Sequence, residues 1–301
     1  MPQNATPQDP PVVDPREQGH KPEYPQPPIP VPGSEAELTP QADHGEETYR
    51  GLGRLTDRVA LVTGADSGIG RAVALAYARE GADVAMSYLP EEEQDAAETA
   101  RWVEAADRTA LRLPGDIRDE RHCQALIERT FDEFGRLDVL VNNAAFQSTH
   151  DSVAEFSTEE FDRTFKTNVY AMFWLCRAAL PRMKAGSTII NTASIQAFDP
   201  SPNLLAYAPT KAAIVNFSKA LSKLAMRQGV RVNVVAPGPV WTPLIPSTMP
   251  REKVKNFGGD TLFERAAQPV EIAPVFVFLA SNESRFVSGE VYGVTGGQTP
   301  Y

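Results

Sequence analysis

Cysteine and histidine are scarce. Cys123 and Cys176 are the only thiols in 301 residues. Each falls in a segment with helical patterning, so neither a disulfide framework nor a zinc cluster can be assembled, and both are expected as buried or half-buried free thiols. The four histidines, His20, His44, His122 and His150, are scattered, with no pair at metal-ligand spacing. His150, in a loop after the fourth strand, is expected to be solvated. Basic runs are missing too. With a formal net charge of -10 and a pI near 5.0, the chain is poorly suited to nucleic acid or an anionic membrane surface as partner. No apolar stretch approaches the ~20 residues of a membrane-spanning helix. The longest, Ile272 to Ala280, contains Pro274 and reads as a core helix. Met1 to Thr6 shows neither the basic nor the apolar part of a secretory signal, which leaves the cytoplasm as the expected location.

The chain divides into a Pro-rich N-terminal extension, residues 1–50, and a catalytic domain, residues 51–301. Pro-Gln-Pro-Pro-Ile-Pro-Val-Pro, from Pro25 to Pro32, is incompatible with helix or central strand and favours an extended conformation. Such a segment is either a disordered tail or an arm laid along its own or a neighbouring subunit; Tyr24, Ile29, Val31 and Tyr49 would be the anchors of an arm. From Arg58 onward, strand-like and helical segments alternate, which predicts a doubly wound, seven-stranded parallel sheet, the Rossmann fold. The strands are expected at 58–63, 82–87, 110–114, 137–141, 188–192, 230–235 and 290–294. Ser157-Thr158-Glu159-Glu160 has the form of a capping box opening a long helix.

Two motifs carry chemistry. Tyr207 and Lys211 are four residues apart in Tyr207-Ala208-Pro209-Thr210-Lys211, so on a helix they share a face. A cation beside a phenol favours phenolate, as proton exchange with an alcohol or carbonyl requires. Ser194 follows the strand-like Thr188 to Ala193. Far upstream, the strand ending at Thr63 runs into Gly64-Ala65-Asp66-Ser67-Gly68-Ile69-Gly70 and then a helix. Glycines there permit a tight turn and let the backbone approach a pyrophosphate at the helix start.

With these residues the chain resembles the short-chain dehydrogenase/reductase family, from about Leu55 to the C-terminus. The likeness extends to Asp116, Val141-Asn142-Asn143-Ala144, Asn168 and Ala236-Pro237-Gly238, in family order and spacing. It implies an oxidoreductase moving hydride between a nicotinamide and a small-molecule alcohol or carbonyl substrate. Tyr207 would be the acid/base. Ser194 would hold the reacting oxygen, Lys211 would lower the tyrosine pKa and bind ribose, and Asn168 would anchor a water in a proton relay. The expected cofactor contacts are Gly64, Asp66, Ser67, Gly68, Ile69 and Gly70 at the turn, and Tyr88 after the second strand. Asp116 and Ile117 would lie at the adenine, Asn143 and Ala144 on the ribose side, Ala145 close to the nicotinamide, and Pro237, Gly238, Val240 and Thr242 around the nicotinamide, together with Tyr207 and Lys211. Phe146, Gln147, Ile195, Gln196, Trp241 and a mobile segment from Leu244 to Phe257 would shape the substrate pocket. The family also implies a homo-oligomer, a dimer or tetramer.

Within the family, Tyr88-Leu89-Pro90-Glu91-Glu92 and Ser194-Ile195-Gln196-Ala197 are similar to bacterial aldehyde reductase-like and glucose/ribitol dehydrogenase-like proteins. Sugar or polyol oxidation is therefore an alternative to aldehyde or ketone reduction, and a non-catalytic NAD(P)-sensing scaffold is another. No acid or arginine stands at the deciding place after the second strand. Asp66 and the nearby glutamates oppose an extra phosphate and lean toward NAD, with NADP as the alternative.

Overall fold

The structure, a computed structural model, describes residues 13–298. Residues 1–12, with the Met1 to Thr6 stretch, and 299–301 lie outside the described residues. Seven runs rich in apolar residues form β1 (Val59–Thr63), β2 (Asp83–Tyr88), β3 (Ala110–Pro114), β4 (Val139–Asn142), β5 (Thr188–Thr192), β6 (Arg231–Pro237) and β7 (Val291–Val294). All pair in parallel in the order β3-β2-β1-β4-β5-β6-β7. The helices are α1 (Gly68–Arg79), α2 (Glu93–Glu104), α3 (Glu120–Phe134), α4 (Thr158–Phe165), α5 (Ala171–Ala179), α6 (Tyr207–Ala225), α7 (Leu244–Thr248), α8 (Arg251–Lys255) and α9 (Pro269–Ala280).

A parallel sheet covered on both faces leaves its inner strands no solvent side. β1, β4, β5 and β6 are accordingly buried at every position. Side chains alternate between faces: Ala60 and Val62 pack with α1, α2 and α9, whereas Leu61 packs with α3, α5 and α6. The doubly wound sheet expected from the sequence is thus the one formed. The strand order reverses between β1 and β4, and a crevice opens there at the carboxyl ends of the strands. Cys123 and Cys176 are buried free thiols.

Between α4 and α5 the chain makes a π turn, Lys166–Tyr170, which nothing in the residue pattern announces. Ser157 caps α4, its Oγ accepting from Glu160 N at 3.1 Å. The expected return bond from Glu160 does not form, because its carboxylate takes the Ser148 hydroxyl at 2.6 Å and meets His150 Nε2 at 2.9 Å. His150 is therefore half-buried and paired rather than solvated.

From residue 13 the N-terminal segment lies along its own chain as an ordered arm. Tyr24 N donates to Lys255 O at 3.1 Å, Ile29 N to Pro246 O at 3.3 Å, and Asp43 O accepts from Val270 N at 3.0 Å. Tyr24, Ile29 and Tyr49 are buried, as expected of anchors. Val31 is not, being 45% exposed. Trp241, expected to wall the substrate pocket, is instead fully buried under the arm. The Tyr24 ring stacks on it at 4.0 Å between centroids, and its Nε1 donates to Pro40 O at 2.8 Å. Aromatic pairs of this kind add about 1 kcal/mol beyond the area they bury.

The arm joins the domain at Glu80, a buried carboxylate at the end of α1. It accepts from Tyr49 OH at 2.6 Å, from Leu52 N and Arg54 N at 3.0 and 2.9 Å, and from the Arg54 guanidinium at 2.6 Å. Burial alone would raise its pKa, but these donors hold it at about 2. The folded value lies below the ordinary 4.5, so its contribution to stability is complete at neutral pH and lost as pH falls through 2. Glu80→Ala should cost about 3 kcal/mol at pH 7, since it leaves several donors without their acceptor. Urea unfolding measures this; a loss under 1 kcal/mol would contradict the clamp.

Candidate active site

Thr63 ends β1 with its hydroxyl accepting from Asn143 N and Ala144 N at 3.0 and 3.1 Å, which stitches β1 to the chain leaving β4. Asn143 Nδ2 returns a bond to Thr63 O at 3.2 Å. Against this junction the glycine turn folds tightly, with φ of +63° at Gly64 and +49° at Gly68, a region that disfavours side chains. A Cβ on Gly70 would lie 1.7 Å from Gly64 O, and one on Gly68 would lie 2.9 Å from the Thr242 side chain. The turn therefore brings its bare backbone, and the start of α1, to the crevice.

One cleft of about 1050 Å³ opens there. Of the residues expected to contact a cofactor, all but Gly70 line it. Gly70 faces the turn itself, where its lack of a side chain is what the packing needs. Ser194, Tyr207 and Lys211 line the cleft, and Asn168 does not. Asn168 is buried in the π turn. Its Oδ1 accepts from Phe146 N at 2.8 Å, and its Nδ2 donates to Phe146 O at 2.9 Å and Thr210 Oγ1 at 3.0 Å, bracing α6 against the loop after β4.

The three remaining groups converge because β5 delivers Ser194 to the start of α6. Tyr207 is the first residue of that helix, and Lys211 stands one turn on. The Ser194 hydroxyl is near enough to Tyr207 to pull the phenol pKa down slightly, and its Oγ accepts from Gln196 N at 3.2 Å. Lys211 Nζ donates to Thr192 O at 2.9 Å and sits 5.2 Å from the Tyr207 ring centroid. The protein's own groups do not give the lowered phenol pKa expected from the sequence. Burial pushes Tyr207 up to about 12, against a small pull from Ser194, and pushes Lys211 down to about 7. Desolvation disfavours the charged form of both.

The second-strand end of the cleft is acidic. Asp66 is buried, and burial raises its pKa to about 6; burial and then the Asp66 charge raise Glu92 to about 8. Asp66 Oδ2 and Ser87 Oγ are buried polar atoms without a protein partner, and both residues line the cleft. Asp116 lines it too, but its carboxylate accepts Arg118 N at 2.9 Å and the Arg118 guanidinium, so it caps its own loop as well. Phe146, Gln147, Ile195 and Gln196 line the substrate side, as do α7 and the loop after α8. Ser87, Arg118 and Arg163 also line the cleft. The residue pattern did not single them out: Ser87 stands in β2, Arg118 in the loop after β3 and Arg163 in α4, and only the fold brings the three to one cleft.

A bare glycine cradle at a helix start, orphaned acceptors beside it and a Tyr-Ser-Lys corner at the far end fit a nicotinamide dinucleotide. Fold and site together define a nicotinamide-dependent oxidoreductase. The family model described as enoyl-(acyl carrier protein) reductase matches residues 64–299, and the chain belongs to the short-chain dehydrogenase/reductase family. It is 50% identical over 288 residues to the oxidoreductase YghA of Escherichia coli, covering 95% of this chain and 98% of that one. It is 44% identical over 271 residues to glucose and ribitol dehydrogenase of Daucus carota, covering 88% and 93%. Among solved structures, a short chain dehydrogenase from Burkholderia cenocepacia in complex with NADP superposes with a TM-score of 0.76 at 28% identity, covering 81% of this chain and 99% of that one. Among the described residues, no helix is long and apolar enough to cross a membrane.

The Lys211 pKa carries a sign that can be measured. Its folded value, about 7, is below the ordinary 10.5, so the unfolded chain holds the extra proton between these values and wild-type stability rises with pH across that window. Relative to Lys211→Met, the wild type should therefore gain stability from pH 7 to 10 in urea unfolding. A constant difference would show that Lys211 stays charged in the fold.

Proposed function

We propose that the protein interconverts an alcohol and its aldehyde or ketone, using Tyr207 as acid/base and preferring NAD to NADP. The observation that carries the reading is the convergence of Ser194, Tyr207 and Lys211 on one cleft with the glycine turn. A bound nicotinamide supplies or accepts the hydride. The Tyr207 hydroxyl gives its proton to the carbonyl oxygen in reduction and takes it back in oxidation. The Ser194 hydroxyl holds the same oxygen and stabilises charge developing on it. Lys211, with its pKa near 7, is poised to pass a proton to and from the phenol, and as a cation it favours phenolate. Asn168 keeps α6 in place. Because its side-chain contacts are taken up within the protein, the relay expected of it falls to the backbone of the π turn, a feature often found at functional sites.

The preference for NAD rests on the acidic corner. Residues 64–69 and 87–92 of the cleft include Asp66 and Glu92 and no lysine or arginine. Asp66, with its pKa at about 6, is largely ionised at neutral pH and as a carboxylate accepts ribose hydroxyls and opposes a 2′-phosphate, whereas Glu92, at about 8, adds little charge. A sugar or polyol is the second reading for the substrate: Gln147, Gln196 and Thr248 bring amide and hydroxyl groups to the substrate side, and the Daucus carota relative is named for such substrates. We also propose a homo-oligomer, supported by the exposed Phe161, Phe173 and Leu224 on α4, α5 and α6.

Tyr207→Phe should lower turnover of aldehydes or sugars by about a thousandfold, within the range general acid/base catalysis supplies, and leave the NADH dissociation constant nearly unchanged. Surviving turnover would remove Tyr207 from its role, and a wild type that binds cofactor but converts nothing would favour a sensing scaffold. Asp66→Ser should shift the NADPH-to-NADH affinity ratio by about tenfold toward NADPH, the equivalent of ~1.4 kcal/mol. Fluorescence titration of the two dinucleotides decides this, and an unmoved ratio would place the selecting group elsewhere.

A further inference from the structure

Helix α1, which carries the glycine turn into the crevice, lacks a local cap. Ser67 stands at its N-cap but its side chain makes no capping bond. The partner of the first helical amide comes instead from the arm, 33 residues earlier: Gly68 N donates to Glu35 Oε2 at 2.9 Å. Gly68 is thereby held between Glu35 on one side and the Thr242 side chain on the other, at the positive φ that glycine permits.

Glu35 is itself buried and held at its backbone N and at Oε2. It is 2% exposed. Its backbone N donates to Asp95 Oδ2 at 2.8 Å, tying the arm to α2. Its Oε1 lies 3.1 Å from His44 Nε2, and His44 Nδ1 lies 3.1 Å from Glu46 Oε1. Arg71 reaches across the same space, with its guanidinium on Asp66 O, Thr99 Oγ1 and Asp95 O at 2.9 to 3.0 Å. Burial would depress the His44 pKa, but Glu35 and Glu46 raise it to about 9, so His44 is a cation at neutral pH. The Glu35 charge is thus matched before it is felt at the helix start, where an unmatched anion would compete with a pyrophosphate.

We infer that Glu35 is a positioning residue for the dinucleotide: the arm's carboxylate occupies the Gly68 amide, sets the glycine turn in its binding shape and leaves the next residue of α1, Ile69, which lines the cleft, to the pyrophosphate. This rests on reading the cleft as a dinucleotide site. Glu35 does not line that cleft, so it acts through the turn and not by contact. Ser194, Tyr207 and Lys211 stand on other elements, and the effect belongs in binding rather than in the chemical step.

Reach and charge can be separated at this position. Glu35→Gln keeps an acceptor at the same distance without the charge, whereas Glu35→Asp keeps the charge but withdraws it by one methylene from the Gly68 amide. NADH and NADPH dissociation constants should stay within about threefold of wild type for Glu35→Gln and rise tenfold or more for Glu35→Asp, with kcat at saturating dinucleotide unchanged in both. Amide hydrogen exchange across residues 64–70, measured without dinucleotide, should quicken in the aspartate variant and not in the glutamine variant. If the aspartate chain does not fold, Glu35→Met, of similar length and without an acceptor, takes its place. Wild-type affinity in the short-reach variant, equal losses in both variants, or a loss confined to kcat would overturn the inference. Failure of the proposed chemistry would show separately, in the turnover of Tyr207→Phe.

Discussion

The approach of Gly70 to the carbonyl of Gly64, too close for even a single carbon, is the constraint from which the site follows. It forces the chain leaving β1 to double back before α1 begins, so the helix starts at the crevice between β1 and β4. Thr63 and Asn143 then fasten the two strand ends to each other. Everything that meets a ligand is placed relative to that junction: the acidic corner follows β2, the catalytic corner follows β5, and Pro237 and Gly238 follow β6. A side chain at Gly70 would disturb the whole crevice because its walls share this one close contact.

The corner of Ser194, Tyr207 and Lys211 shows how far burial can outweigh sequence spacing. Four residues on a helix bring an amine to a phenol, yet the low polarity around them penalises both ions, so the pair rests with a neutral tyrosine and a lysine close to its titration point. An amine whose pKa has fallen to about 7 can give up or take a proton near neutral pH at little cost. Burial thereby makes a better proton carrier of Lys211 than a permanently charged lysine would be. On the function proposed above, the charge that shifts the phenol would come from a protonated Lys211 and an oxidised, cationic nicotinamide, with neutral ribose hydroxyls adding only hydrogen bonds. This ties acid/base competence to an assembled site.

The sheet and the cleft were legible because their determinants are local. Apolar runs, a glycine turn and helical spacing each act within a few residues, and parallel topology then carries their ends to one edge. What was not legible depends on contacts between distant segments. Trp241 reads as a pocket wall from its place after Pro237-Gly238, and only the stacking of Tyr24, more than two hundred residues away, reveals it as the arm's seat. The Ser157 box was half right because Glu160 found His150 and Ser148, which outbid a backbone amide. The π turn at Asn168 has no residue signature. Glu35 and His44 sit in a Pro-rich stretch whose composition suggests disorder, and their pairing appears only once the arm is laid down.

That arm changes what kind of site this is. Loops that shape substrate pockets are usually free to open and close, and the segment from Leu244 to Phe257, with Pro246 and Pro250 and only two five-residue helices, has little regular structure of its own to hold it. Here it is nonetheless tied from behind: Tyr24 and Ile29 bond to the carbonyls of Lys255 and Pro246, and Trp241, just ahead of it, is locked between Tyr24 and Pro40. The same arm reaches the glycine turn through Glu35 and the end of α1 through Tyr49. One segment therefore restrains both the dinucleotide end and the substrate end of the cleft. The entropy of ordering those two loops is met largely on folding rather than on binding. A site preorganised in this way gives up adaptability to differently shaped substrates; on the function proposed above, it gains in the alignment of a substrate oxygen with Ser194 and Tyr207.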